Sequence, residues 1–586
     1  MKLFSLNRVA SVACSFVIAA TTVAQQSDSG PYNMGNKGIV RYEDVFHPVV
    51  GRSGMVSSQN TIATQVGLEI LEQGGNAVDA SVAVGFALAV TLPRAGNLGG
   101  GGFMVLHLAD ESLTTTIDYR ETAPTGLTAQ HFLMEDGQKD PESRDSWHAM
   151  GVPGTVAGLY KAWEQYGSGN ISWKKLIDPA YRLAKKGFAV NYDLSQLLGL
   201  KQEWLKENPS TAKTYFKKDG EVYQAGDKLV LPDLAWSLKQ IAKHGPDAFY
   251  RGAIAEKIIA DMERHGGHID ADDLAQYEAK EKPPVTGSYR GYEVVSMAPP
   301  SSGAVAIIEM LNILEHFPLA QWGRSANTMH VMAEAMKLSF ADRGTYMGDP
   351  DFYPVPIEWL VSKERAKKLA DRIDLNRATP STEIEGDVLP PESPSTTHYS
   401  IVDRHGNAVS NTYTLSASFG AGKVIKGTGI LMNNQLHTFS VRAGIPGAIG
   451  FIASEANKVE TFKRPVSSQS PTMVLKEGKL YLVVGSPGGS RIINAVMQII
   501  TNVIDHNMNI AEATNERRIH HQWYPDRLEL EPGFNADTAE LLRQKGHDVE
   551  ITQTMGSTQS IMVKGEYLLG ASDPRRPGAL TQGIDK

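Results

Sequence analysis

The run Pro390-Pro391-Glu392-Ser393-Pro394-Ser395-Thr396-Thr397-His398-Tyr399-Ser400-Ile401-Val402-Asp403-Arg404-His405-Gly406-Asn407-Ala408-Val409-Ser410-Asn411-Thr412-Tyr413-Thr414-Leu415 decides how this chain is read. Its first part continues a proline and serine texture that begins at Thr379 and Pro380. Proline fixes φ, removes a donor and biases the residue before it to extended backbone, so this part reads as an extended, exposed connector. From Thr397 to Val402 the residues alternate, Asp403 to Asn407 supply turn chemistry, and Ala408 to Leu415 continue the pattern, which predicts a β-hairpin. Thr396-Thr397-His398 stands where connector meets strand. A threonine pair there is ordinary β-propensity on one reading and a source of a hydroxyl nucleophile on the other.

Beyond the hairpin, strands are expected at Ile430 to Leu436, Met473 to Leu475 and Leu480 to Val484. The last runs into Gly485-Ser486-Pro487-Gly488-Gly489 and then a helix with Ile492, Ile493, Val496, Ile500 and Ile504 on one stripe. Toward the start, Ile62, Val66 and Ile70 recur at helical spacing and Gly74-Gly75 ends the helix. Ala77 to Val90 is apolar nearly all round, which suits a helix buried on every side, and Gly99 to Gly102 turns into a strand from Phe103 to Leu108. Between Val156 and Leu375 the periodicity is mostly helical, with Pro283 to Ser302 as a loop-rich interruption. Periodicity alone supports a mixed α/β protein without repeats.

A chain of 586 residues with 41% hydrophobic and 21% charged residues has the composition of a large globular protein. Its formal net charge of -8 provides no basic field for nucleic acid. Lys2 and Arg8, the apolar run from Val9 to Ala20 and the small residues Thr22-Val23-Ala24 together read as a secretory signal peptide over 1–24. The expected location is periplasmic or secreted. Lipidation at Cys14 would leave the apolar Ser15 to Ala24 on the mature chain, which disfavours it. Cys14 is the single cysteine, so a mature chain starting near Gln25 uses neither disulfides nor thiol chemistry. Ala77 to Val90 is too short to span a membrane.

Without a thiol, a nucleophile must be a hydroxyl, lysine or carboxylate. Gly485-Ser486-Pro487-Gly488 has the wrong spacing for a nucleophile elbow, and Pro487 lacks the donor needed after the serine. Adjacent His520-His521 point apart on a regular element and have no acidic partner at metal spacing, so they read as structural. Gly488 and Gly489 at a helix N-terminus could form an oxyanion hole, a phosphate-binding turn or a plain loop.

Thr396-Thr397-His398-Tyr399-Ser400, Pro465-Val466-Ser467-Ser468 and Gly485-Ser486-Pro487-Gly488-Gly489-Ser490-Arg491 resemble the bacterial γ-glutamyltransferase (glutathione hydrolase) family of N-terminal-nucleophile enzymes. Glu72 to Ala80, Ala95 to Met104, Asp118-Tyr119-Arg120-Glu121 and Met555-Gly556-Ser557-Thr558-Gln559-Ser560 fit the same pattern, so the resemblance covers nearly the whole mature chain. It implies a four-layer αββα sandwich and a precursor that cuts itself between Ser395 and Thr396. The products would be a large chain, 25–395, and a small chain, 396–586, paired as a heterodimer within one domain.

The resemblance makes Thr396 the nucleophile and its freed α-amine the base, and gives Thr414 the task of holding the nucleophile's rotamer. Gly488 and Gly489 would form the oxyanion hole, and Arg120, Ser467 and Ser468 would bind the substrate α-carboxylate. Around the substrate ammonium, where the family usually has Asn, Gln or Glu, and Asp, this chain has Ser416, Gln435 and Thr438. The carboxylate is missing. The loop Ser440 to Gly450 corresponds to a lid that carries a tyrosine in some members, and Ile449 stands at that position. The implied activity is hydrolysis and transfer of γ-glutamyl amides such as glutathione, with water, amino acids or dipeptides as acceptors and with no cofactor or metal. An acylase for glutaryl-type side chains is the rival enzyme, and a silent peptide-binding protein the rival from another class.

Overall fold

A computed structural model describes residues 44–444 and 453–585. The expected leader over 1–24 and Ile449 of the expected lid lie outside the described residues. In chain order, the strands that build the two large sheets are β1 (Val49–Gly51), β2 (Gly54–Ser58), β3 (Gly101–Leu108), β4 (Leu113–Tyr119), β5 (Lys280–Lys282), β6 (Val285–Tyr289), β7 (Tyr292–Ser296), β8 (Thr397–Asp403), β9 (Ala408–Thr414), β10 (Thr472–Lys476), β11 (Lys479–Val484), β12 (Gln559–Lys564), β13 (Tyr567–Ser572) and β14 (Leu580–Ile584). One sheet runs β1-β13-β12-β11-β10-β7-β6 and the other β14-β2-β8-β9-β3-β4-β5. Every ladder in both is antiparallel.

The helices that cover the sheets include α1 (Thr61–Glu72), α2 (Ala77–Thr91), α3 (Gly303–Leu314), α4 (Ala326–Tyr346) and α5 (Arg491–Ile504). α1 and α2 lie on the β8/β9 sheet, and α3 lies on β6 and β7 against α4 and α5. Between the sheets, Met55, Phe103, Val105, Val402 and Ala408 meet Met473, Val483, Ile561 and Leu568. The result is a four-layer αββα sandwich. Among the described residues no helix is long and apolar enough to cross a membrane.

Local chemistry explains how these elements start and where they sit. Asn60 accepts hydrogen bonds from the Ile62 and Ala63 N–H groups to begin α1, and Asn76 with Asp79 closes a capping box on α2. Every residue of α2 is buried, as its nearly unbroken apolar sequence predicts. The hairpin is fastened to this helix from the other side. Tyr399 Oη donates to the Ser81 carbonyl at 3.0 Å and Tyr413 Oη to the Gly85 carbonyl at 2.9 Å, so two buried phenols fix β8 and β9 under α2.

Two segments depart from the sequence expectation. Pro283 to Ser302 contains the antiparallel pair β6 and β7, which turns at Arg290 and Gly291 with φ of 49° and 83°. Ile430 to Leu436 makes isolated bridges, Val424 with Leu431 and Gly99 with Met432, and then a short 3-10 turn over Gln435–Thr438. Asn433 ends that run as a strand, since its side-chain amide donates to the Gly99 and Gly151 carbonyls and its oxygen accepts from Gly151 and Gln435 N–H groups. A side chain thus satisfies backbone groups that a ladder would otherwise have paired.

Candidate active site

Thr396 directly precedes β8 and Thr414 ends β9, so the hairpin brings two hydroxyls together across its open end. Thr396 Oγ1 donates to Thr414 Oγ1 in a loose 3.4 Å contact, and Thr414 Oγ1 donates to the Ser395 carbonyl oxygen at 2.8 Å. The Ser416 N–H donates to the same Thr414 oxygen at 2.9 Å. Thr396 and Thr414 are 4% and 3% exposed, so this exchange of hydrogen bonds is shielded from bulk water. One hydroxyl therefore touches both the Thr396 hydroxyl and the carbonyl of the residue before it. Ser416 adopts φ of 76°, a left-handed backbone that a serine tolerates less well than an asparagine.

His398, two residues on, is excluded as the base by its surroundings. Its Nδ1 meets Thr412 Oγ1 at 2.8 Å and its Nε2 meets Ser400 Oγ at 3.0 Å. Ser400 donates its proton to the Gln559 carbonyl, so Nε2 donates to Ser400 and Nδ1 accepts from Thr412. Burial lowers the imidazole to about 3, which keeps it neutral. The ring bridges the sheets and leans on Gly485, where an added Cβ would lie 2.3 Å from it. β8 and the glycine loop are thereby packed against one another.

Gly488 and Gly489 follow β11 and precede α5, with φ of 140° and 61°, values that favour glycine. The loop is braced from outside. Gly556 lies against Gly488, the Ser557 N–H donates to Ser486 Oγ at 2.9 Å, and Arg518 donates to the Met555 carbonyl at 2.6 Å while paired with buried Asp573. The Met555 to Ser560 block thus serves as a buttress for the loop.

A narrow cleft is lined by Arg120, Thr396, Thr414, Ser416, Gln435, Thr438 and Ser467, together with the connector residues Glu392 and Ser393. Seven sequence-predicted residues thus share one cavity. Ser468 joins it through a hydrogen bond to Glu392, and Gly489 touches Ser393. Arg120 is 1% exposed, and its Nε and Nη2 donate to the Pro465 and Val466 carbonyls, which fixes the fork, while Nη1 makes no hydrogen bond and faces Glu121 Oε2 at 3.5 Å. Behind it, burial raises the Glu121 carboxyl to about 7 against the opposing pull of Arg120.

On the opposite side, Thr438 Oγ1 donates to the Gln435 carbonyl at 2.7 Å and receives Gln435 Nε2 at 3.3 Å. Gln435 Oε1 is left as a buried acceptor without a partner. Among the residues lining the cleft the one carboxylate is Glu392. Sequence reading missed Glu392, Arg343 and the Gly485 contact, all of which depend on residues distant along the chain.

His330, Glu334 and His547 are close enough to bind a metal, but each has other work. His330 bonds to His547 at 2.8 Å and to the Asp374 carbonyl, and Glu334 pairs with Lys337 at 2.5 Å. These contacts tie the two histidines to each other and all three side chains to their neighbours. His520 and His521 are held likewise, the former taking Asn494 Nδ2 on Nδ1 and the latter facing Asp526 at 3.3 Å.

A family model described as Gamma-glutamyltranspeptidase matches residues 63–583. The chain is 52% identical over 546 residues to the glutathione hydrolase proenzyme of Escherichia coli (strain K12), covering 92% of this chain and 93% of that protein. It is 43% identical to the glutathione hydrolase proenzyme of Pseudomonas sp. (strain A14), covering 92% and 95%. Among solved structures, a cephalosporin acylase from Bacillus halodurans superposes with a TM-score of 0.83 at 26% identity, covering 94% of this chain and 99% of that one.

Proposed function

The chain belongs to the gamma-glutamyltranspeptidase family, and from that premise we propose how its residues carry out the reaction. It is an enzyme, a γ-glutamyl hydrolase and transferase of the N-terminal-nucleophile type. The observation that carries the mechanism is the Thr414 hydroxyl, bonded to both Thr396 Oγ1 and the Ser395 carbonyl.

In the precursor, Thr396 Oγ attacks the Ser395 carbonyl carbon while Thr414 polarises the carbonyl oxygen. The C–N bond breaks, the hydroxyl proton ends on the departing nitrogen, and the acyl group rests as an ester on Thr396. Water then hydrolyses the ester, giving a Ser395 carboxylate and a free Thr396 with its α-amine. An α-amine titrates at about 7.7–8.0 and can act as general base near neutral pH.

In the mature enzyme, Thr396 Oγ attacks the γ-carbonyl, its proton passes through the α-amine to the leaving amine, and the developing oxyanion is met by the Gly488 and Gly489 N–H groups. Water or an amino acid or dipeptide amine then takes the γ-glutamyl group from Thr396. The Arg120 guanidinium, Ser467 and Ser468 bind the substrate α-carboxylate, and Gln435 Oε1 accepts from its ammonium. Thr396→Ala should remain one chain on a denaturing gel while wild type shows two; cutting of that variant at the same bond would refute intramolecular attack.

Residues 25–395 and 396–586 would remain together as a heterodimer. The charged, apolar and small segments of residues 1–24 support export to the periplasm or beyond. The uncharged Ser416 and Thr438 favour a second activity, cleavage of glutaryl amides. Such substrates offer the carboxylate to Arg120 and lack the ammonium, for which Ser416, Gln435 and Thr438 supply no counter-charge.

A further inference from the structure

Four residues before Thr396, the connector places a carboxylate in the substrate cleft. Glu392 Oε1 accepts from Ser468 Oγ at 2.6 Å and from Arg343 Nη2 at 2.5 Å, and Oε2 accepts from the Ser468 N–H at 3.1 Å. Arg343 Nη2 also donates to Ser468 Oγ at 2.8 Å, and its Nε is fixed on Ser302 Oγ at 2.7 Å. Ser302 in turn donates to the Ser467 carbonyl at 2.9 Å.

The Glu392 side chain is only 13% exposed and that of Arg343 only 7%. Drawing a loop carboxylate so far from water is unfavourable unless the receiving groups are arranged for an anion. A serine giving both hydroxyl and amide, next to a fixed guanidinium, is such an arrangement. Further along the cleft the Ser393 carbonyl oxygen lies 2.8 Å from where a Cβ on Gly489 would be, so the connector also covers the glycine loop.

We propose that Glu392 occupies, in the precursor, the subsite that later receives the substrate α-carboxylate, and that Arg343 is a second arginine of that subsite beside Arg120. Docking of Glu392 positions the Ser395–Thr396 bond under Thr414 and closes the cleft to substrate until the cut is made. Glu392 is thus a positioning residue for self-cleavage and Arg343 a substrate-binding residue of the mature enzyme. Both roles rest on Ser395–Thr396 being the bond that Thr396 cuts.

Freshly purified precursor is incubated with and without glutarate, a soluble dicarboxylate, and followed on denaturing gels. Glutarate should slow wild-type cleavage, and Glu392→Ala should cleave about tenfold slower, the scale of losing a hydrogen bond to a charged group, with no further slowing by glutarate. In the cut enzyme, Arg343→Gln should raise KM about tenfold for a γ-glutamyl anilide and leave KM for the 4-aminobutyryl anilide, which lacks the α-carboxylate, within twofold. Equal losses on both anilides would overturn the role of Arg343. Wild-type cleavage indifferent to glutarate, or Glu392→Ala cleaving at the wild-type rate, would overturn the role of Glu392. Cleavage of Thr396→Ala would instead remove the underlying reading.

Discussion

Replacing Thr414 by valine separates the chemistry of self-cleavage from the packing around it. Valine has nearly the shape of threonine, so the buried position stays filled, while three hydrogen bonds disappear. These are the donor to the Ser395 carbonyl at 2.8 Å, the acceptor for Thr396 Oγ1 at 3.4 Å and the acceptor for the Ser416 N–H at 2.9 Å. The first acts on the reacting carbonyl, where charge develops. Removing one such donor costs about 2.7–4 kcal/mol of transition-state stabilisation, or roughly a hundred- to a thousandfold in rate. The orphaned Ser416 N–H costs about 1–3 kcal/mol of fold stability and is read in Tm, separately from the first-order cleavage of folded precursor. Thr414→Ser keeps the hydroxyl and should cleave within about tenfold of wild type, since it loses a methyl group and not a donor. The assay is a timed denaturing gel of precursor purified cold, with circular dichroism confirming the fold. If folded Thr414→Val cleaves within about threefold of wild type, the carbonyl is polarised by another group and the reasoning fails.

Gly485→Ala would drive a Cβ to 2.3 Å from the His398 ring, a clash that should cost about 1–3 kcal/mol of stability and displace the Gly488-Gly489 loop. Both Tm and kcat should fall, and wild-type values of each would show that the contact yields freely. The Glu121 carboxyl, raised from 4.5 to about 7, holds its proton more tightly in the folded state than in the unfolded chain. Its contribution to stability is therefore complete below the unfolded value and lost as pH rises through the folded one. Glu121→Gln should flatten the fall in Tm between about pH 5 and pH 8, and a fall parallel to wild type would assign it to other groups. Thr438→Asp should lower KM for a γ-glutamyl anilide by about ten- to a hundredfold and raise it for the glutaryl analogue, which would leave the new carboxylate unpaired. Unchanged KM for both would mean that a residue outside Ser416, Gln435 and Thr438 holds the ammonium.

The hairpin was legible because its alternation and its turn at Asp403 to Asn407 are local signals, and the observed strands end within a residue of the expected ones. α2 was legible because a nearly unbroken run of mostly small apolar residues has one place to go. The β6/β7 hairpin was hidden by prolines that lie outside its strands, at Pro283-Pro284 and Pro299-Pro300, and by a turn whose first residue is an arginine at positive φ. The expected strand from Ile430 failed because a tertiary network around Asn433, invisible to periodicity, takes over its backbone hydrogen bonds. Most candidate site residues converged on one cleft, while Arg343 and Glu392 escaped notice. Neither sits in a motif, and each acquires its meaning only when α4 and the connector meet at Ser468.

The boundary at Ser395–Thr396 falls across the architecture in an unusual way. In one sheet β2 lies between β14 and β8, and in the other β10 to β13 are flanked by β1 on one side and β7 and β6 on the other. Each sheet therefore weaves strands from both sides of the bond. Severing it removes no ladder hydrogen bond, and neither product can leave without tearing open two sheets and the core between them. Before the cut, unfolding and refolding are events of a single polymer, independent of concentration. Afterwards the same folded object, once melted, would have to reassemble from two separate chains, the large one lacking the middle of both sheets and the small one lacking β2 from the middle of one, by a second-order encounter in competition with aggregation. On the proposed cut, the chain would assemble under one thermodynamic law and work under another, and its endurance afterwards would be set by how slowly it unfolds.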